Sequence, residues 1–91
     1  MHYRVRVSIH GLVQGVGFRR FARKKARELG LTGYVRNCAD GSVEAEVQGN
    51  EAATNRFIQW SYQGAPHARV DRVVTANVPM VDDDHEFRII E

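Results

Sequence analysis

Apolar residues at Tyr3, Val5, Val7 and Ile9 alternate with Arg4, Arg6, Ser8 and His10. A period of two sends one set to a core and the other outward, so it predicts a half-buried strand. The period changes at Phe18. Phe18, Phe21, Ala22, Ala26 and Leu29 follow the i, i+3, i+4 spacing of an amphipathic helix, and Gly30 supplies its stop. Leu31 to Asn37 predicts a second strand. Ser42 to Gln48 predicts a third, in which Val43, Ala45 and Val47 alternate with Glu44, Glu46 and Gln48. Between them, Cys38-Ala39-Asp40-Gly41 carries the Asp-Gly signal of a tight hairpin. Asn50 is a candidate N-cap, with Glu51 in the first turn, for a helix that buries Ala53, Phe57 and Trp60 and ends near Gly64. A fourth strand is expected over Arg69 to Val78, then a polar loop from Pro79 to Glu86, then a short terminal strand over Phe87 to Ile90.

The order is β-α-β-β-α-β with one extra strand. This is the split βαβ pattern of an α+β, ferredoxin-like two-layer sandwich, with two helices on one face of a mostly antiparallel sheet. The first and third strands are central neighbours in that fold. Arg4 and Arg6 therefore face Glu44 and Glu46 on the outer side, as exposed pairs worth about 0 to 1 kcal/mol each.

With 91 residues the chain has room for one core, and a single domain over 1–91 is expected. No apolar run is long enough to span a bilayer, and the N-terminus has no apolar signal block, so no membrane partner is expected and the cytoplasm is the default location. The lone Cys38 has no internal disulfide partner, which fits a reducing compartment. Net charge is only +2, but Arg19, Arg20, Arg23, Lys24, Lys25 and Arg27 are crowded into one helix. That clustering favours an anionic ligand nearby, either a small phosphate compound or a nucleic acid backbone.

The chemistry concentrates in HGLVQGVGFRR, residues 10 to 20, between the first strand and the first helix. The loop can offer backbone N–H groups, the helix start adds partial positive charge, and glycines let several amides converge on one anion. Arg19 sits in the first turn and leans back over the loop, where it can hold two phosphate oxygens bidentately. Two better-known phosphate signatures are absent: no Lys-Ser/Thr ends the stretch, and Arg20 stands where a third glycine of GxGxxG is required. Read from the residues alone, the stretch is equally an anion cradle or a glycine-rich turn with solvated arginines.

GLVQGVGFR resembles the first signature of the acylphosphatase family. The second lies in GYVRNCADGSVEAEVQG, where Gly33, Tyr34, Val35, Arg36, Asn37, Gly41, Val43 and Gly49 stand at the family's spacing. The resemblance implies hydrolysis of the carboxyl-phosphate bond of acyl phosphates, with no cofactor and no metal. It implies Arg19 as the phosphate-binding arginine, Asn37 as the residue that positions the attacking water, and the backbone amides of Leu12, Val13, Gln14, Gly15, Val16 and Gly17 as the cradle. An acyl phosphate already carries a good leaving group. The tasks left are to stabilise the phosphoryl oxygens and to orient one water, and Asn37 can do the latter by hydrogen bonding without acting as a base. Substrate-assisted hydrolysis is expected.

The remaining features read as plain structure. Arg20, Arg23, Lys24, Lys25 and Arg27 make a solvated helix face, Asp82 to His85 a polar loop without metal-ligand spacing, and His2, His10, His67 and His85 scattered surface sites. Cys38 is a passive thiol. RNA-recognition modules share the βαββαβ order, but they carry stacking aromatics on the third strand, which here reads SVEAEVQ. No nucleic acid partner is expected. A regulatory module that binds phosphate without turnover is the closer alternative. The expected partner is a small-molecule acyl phosphate, and the expected state a monomer.

Overall fold

The computed structural model describes all residues, Met1 to Glu91. The elements are β1 (His2–Leu12), α1 (Phe18–Glu28), β2 (Thr32–Asn37), β3 (Val43–Asn50), α2 (Glu51–Gln63), β4 (Arg69–Val78) and β5 (Phe87–Ile90). They form one five-stranded sheet in the order β4-β1-β3-β2-β5. β1 pairs antiparallel with β3 and β4, and β2 antiparallel with β3, whereas β5 runs parallel to β2. The two-layer expectation holds: α1 packs over β2 and β5, and α2 over β1, β3 and β4.

The alternation along β1 is realised as drawn. Val5, Val7 and Ile9 point into the core with Val35, Val43, Ala45 and Val47 from the neighbouring strands. From the helices come Phe18, Ala22 and Ala26 of α1 and Ala53 and Phe57 of α2. Asn50 caps α2 as expected, its side-chain oxygen accepting from the Ala53 amide at 2.8 Å. Trp60 is only partly buried, and it packs its ring against Phe18 and Phe57 at the margin of the core.

Three expectations need correction. Phe21, assigned to the core stripe, is exposed. Phe18 and Ala22 already fill the narrow face that α1 turns to the sheet, which leaves Phe21 on its flank. The hairpin between β2 and β3 is one residue longer than the Cys38–Gly41 connection expected: it takes Cys38 to Ser42, closed by Gly41 N–H to Cys38 carbonyl at 3.2 Å and Cys38 N–H to Ser42 carbonyl at 2.9 Å. The Asp40 carboxylate accepts from both the amide and the hydroxyl of Ser42, which organises the longer turn.

The third correction concerns the outer face of the sheet. Arg4 is only 4% exposed, because the segment between β4 and β5 folds across it as a strap. Its guanidinium bonds Glu46 at 2.7 Å, Asp84 at 2.9 Å and Gln48 at 3.1 Å. Gln48 also grips the strap, exchanging two hydrogen bonds with the Val81 backbone. Asp84 is thus a buried anchor and not merely part of a polar loop. Glu44 turns away from β1, pairing with Arg36 and accepting from the Tyr34 hydroxyl at 2.6 Å. Burial, then the Glu44 contact, push the Tyr34 phenol above its usual pKa. Burial also pushes the Glu46 carboxyl up, but hydrogen bonds from Arg4, Arg6 and Tyr34 outweigh it and leave Glu46 below the ordinary carboxylate value.

Candidate anion site at the start of helix α1

The loop from Val13 to Gly17 carries β1 into α1. Gly15 and Gly17 both take φ of 77°, in the left-handed region that side chains with a Cβ rarely adopt. Those two reversals wrap the backbone around the helix start. Gly17 is the N-cap, so no side chain caps the first turn, and no acidic residue lies in it. Outside helices and strands, no backbone hydrogen bond is donated from residues 13–20. The first amides of α1 have no partner within the helix either. A run of N–H groups at the positive end of the helix dipole is therefore left for a ligand, and an anion suits them.

A cavity of about 260 Å³ opens here, lined by Gly15, Gly17, Phe18, Arg19, Arg20, Asn37, Ile89 and Glu91. It is smaller than the ~300–1,000 Å³ of sites that enclose drug-sized ligands. That size suits a phosphoryl group with its remainder reaching into solvent. Arg19 is half-buried at its wall, and its one carboxylate neighbour is the exposed Glu91 at 3.9 Å. Asn37 ends β2 opposite Val43, and its side chain makes no hydrogen bond within the protein. One guanidinium, one free amide and a set of unused N–H groups thus border the same space. They can bind a phosphoryl group by charge and hydrogen bonds and hold a water beside it.

Of the residues singled out in the sequence, Arg19, Asn37, Gly15 and Gly17 line the cavity. Leu12, Val13, Gln14 and Val16 do not. Leu12 is still within β1 opposite Arg69, Val13 is buried in the core, Val16 packs against that core, and Gln14 turns its side chain to the β2–β3 hairpin. Arg20, read as solvated surface, stands at the rim. Ile89 and Glu91 were not foreseen. Their place follows from the parallel pairing of β5 with β2, which no local signal in the sequence announces.

A wider, open depression of about 720 Å³ runs along α1 between Arg20, Phe21, Arg23, Lys24, Arg27 and Glu28. It is formed by side chains of one helix, with no glycine loop and no converging amides, so it lacks the means to fix a phosphoryl group. No group of three or more His, Cys, Asp or Glu side chains is placed to hold a metal ion. Cys38 is a free, half-buried thiol.

The family profile described as acylphosphatase matches residues 5–89. Acylphosphatase from Yersinia pseudotuberculosis serotype O:1b is 50% identical over 72 residues, covering 78% of each chain. Acylphosphatase from Anaeromyxobacter dehalogenans is 45% identical over 86 residues, covering 94% of this chain and 92% of that one. The crystal structure of acylphosphatase from Bacillus subtilis superposes with a TM-score of 0.93 at 33% identity, covering 100% of both chains. The βαββαβ sandwich with a fifth strand, the glycine loop at the start of α1 and these full-length similarities agree: the chain belongs to the acylphosphatase family.

Proposed function

We propose that the chain hydrolyses the carboxyl-phosphate bond of small acyl phosphates, giving a carboxylate and inorganic phosphate. The observation that carries this reading is the meeting of Arg19, Asn37 and the unbonded loop amides at one small cavity. Arg19, the loop N–H groups at Gly15 and Gly17 and the first amides of α1 bind the phosphoryl oxygens and stabilise their charge in the transition state. Asn37 orients the attacking water through its side-chain amide. The water's proton passes to the phosphate of the substrate or to solvent, with no protein general base and no cofactor or metal. The chain acts as one domain over residues 1–91, as a monomer in the cytoplasm, without a nucleic acid partner. Light scattering and filter binding at low salt check the oligomeric state and the absence of RNA binding.

Benzoyl phosphate hydrolysis by wild type, Arg19→Ala and Asn37→Ala tests the assignment. Arg19→Ala raises KM and lowers kcat together, because it removes binding in both ground and transition states. Asn37→Ala lowers kcat by about 10²–10³, the loss expected for one oriented hydrogen-bonding group, with KM little changed. A folded wild type that binds phosphate but is no faster than buffer identifies a regulatory module instead.

A further inference from the structure

We propose that Gln14 is a positioning residue: its side-chain amide clamps the β2–β3 hairpin to the glycine loop and so sets Asn37 relative to the amides that hold phosphate. The proposal rests on the acyl phosphate reading of that site. Gln14 Nε2 donates to the Cys38 carbonyl at 2.8 Å and to the Ser42 carbonyl at 2.9 Å. Both hydrogens of the amide are thereby used, across 24 and 28 residues of sequence. Each carbonyl also accepts a bond that closes the turn, from Gly41 N–H and Cys38 N–H respectively. The Gln14 amide is therefore built into the mouth of the hairpin, one residue after Asn37.

The sheet cannot make this connection itself. In the order β4-β1-β3-β2-β5, β1 and β2 are separated by β3. Ile9 and Asn37 both pair with Val43, the first residue of β3, and no β1–β3 or β2–β3 ladder pair lies beyond it. The loop after β1 and the end of β2 thus project past β3 without a strand between them. The two Gln14 bonds are the only side-chain hydrogen bonds joining residues 13–17 to residues 37–43. Gln14 itself does not line the cavity, so it acts through Asn37 and not on substrate. Displacement of a reacting group by about 1 Å can cost on the order of 10²-fold in rate, so a clamp at this junction bears directly on turnover.

Gln14→Met keeps the length of the side chain and removes both donors. The expected result is a fall in kcat on benzoyl phosphate of about tenfold or more, while KM and inhibition by inorganic phosphate change less than about threefold. Because the clamp works through Asn37, Gln14→Met adds no further loss in an Asn37→Ala background. Amide hydrogen exchange at Cys38 and Gly41 also speeds up at least tenfold, a readout that does not require turnover. Gln14→Glu, which keeps the shape but cannot donate while ionised, carries the same expectations if the methionine variant does not fold. A kcat within twofold of wild type, an equal loss with and without Asn37, or unchanged exchange overturns the proposal. Failure of both variants to fold overturns it as well, since the residue is then a folding element. A wild type no faster than buffer sinks the activity, and the exchange measurement still decides whether the clamp exists.

Discussion

Replacing Arg4 by methionine removes a cation that the strap has sealed against the sheet. Arg4 is 4% exposed and the Asp84 side chain 3%, so neither end of the pair is reached by solvent. Without Arg4, Glu46 keeps Arg6 at 2.8 Å and Tyr34 at 3.1 Å. Asp84 is left only with Arg88 at 3.9 Å, and its Oδ1 already lacks a hydrogen-bond partner. Breaking a buried pair by removing one partner costs about 3–5 kcal/mol, mostly the burden of the stranded charge. Since one of the two carboxylates stays compensated, the lower end, about 3 kcal/mol, applies. With an unfolding entropy of about 0.19 kcal/mol/K for 91 residues, that lowers the thermal midpoint by roughly 15 °C. Circular dichroism melts and urea titrations measure it. Arg4→Met combined with Asp84→Leu recovers at least half of the loss, because no unpaired carboxylate remains under the strap. A cost below about 1 kcal/mol, the range of exposed pairs, or no recovery in the double variant, refutes the reasoning.

Glu46→Gln destabilises the protein near neutral pH, and the difference from wild type shrinks in acid. The Glu46 pKa is depressed in the folded state, so its contribution is complete above the unfolded value near 4.5 and is lost as pH falls through the lower folded value. Melts at pH 7 and pH 3 check the convergence, and parallel curves would assign the stabilisation to some other group. Gly15→Ala costs about 1–2 kcal/mol through the left-handed backbone alone, since a Cβ there meets no atom within 4 Å. Urea unfolding reads this loss, and a neutral result would mean that the loop relaxes to another conformation.

Hydrophobic period and end signals were enough to draw the secondary structure. Val5, Val7 and Ile9 announced β1, Asn50 the start of α2, and Gly30 the end of α1, because each depends on neighbours within a turn or a strand. Phe21 misled, since the width of a helix's buried face is set by what packs against it. The site was legible in part: glycines at 15 and 17, an arginine in the first turn and an asparagine at a strand end are all visible in sequence. That Arg19 and Asn37 border one cavity followed only from the predicted topology, and the placement of Ile89 and Glu91 beside them did not follow at all.

By itself, then, the sequence determined the elements, their order and the residue types able to hold an anion, because propensity, patterning and capping act locally. The tertiary structure decided what depends on distant segments meeting. The strap turned an apparently exposed ion pair on the sheet into a buried one, and β5 beside β2 completed the cavity wall. Gln14 reached the hairpin that carries Asn37. In each case a side chain took its role from partners 24 or more residues away, and no local pattern encodes which of them will be brought within hydrogen-bonding distance.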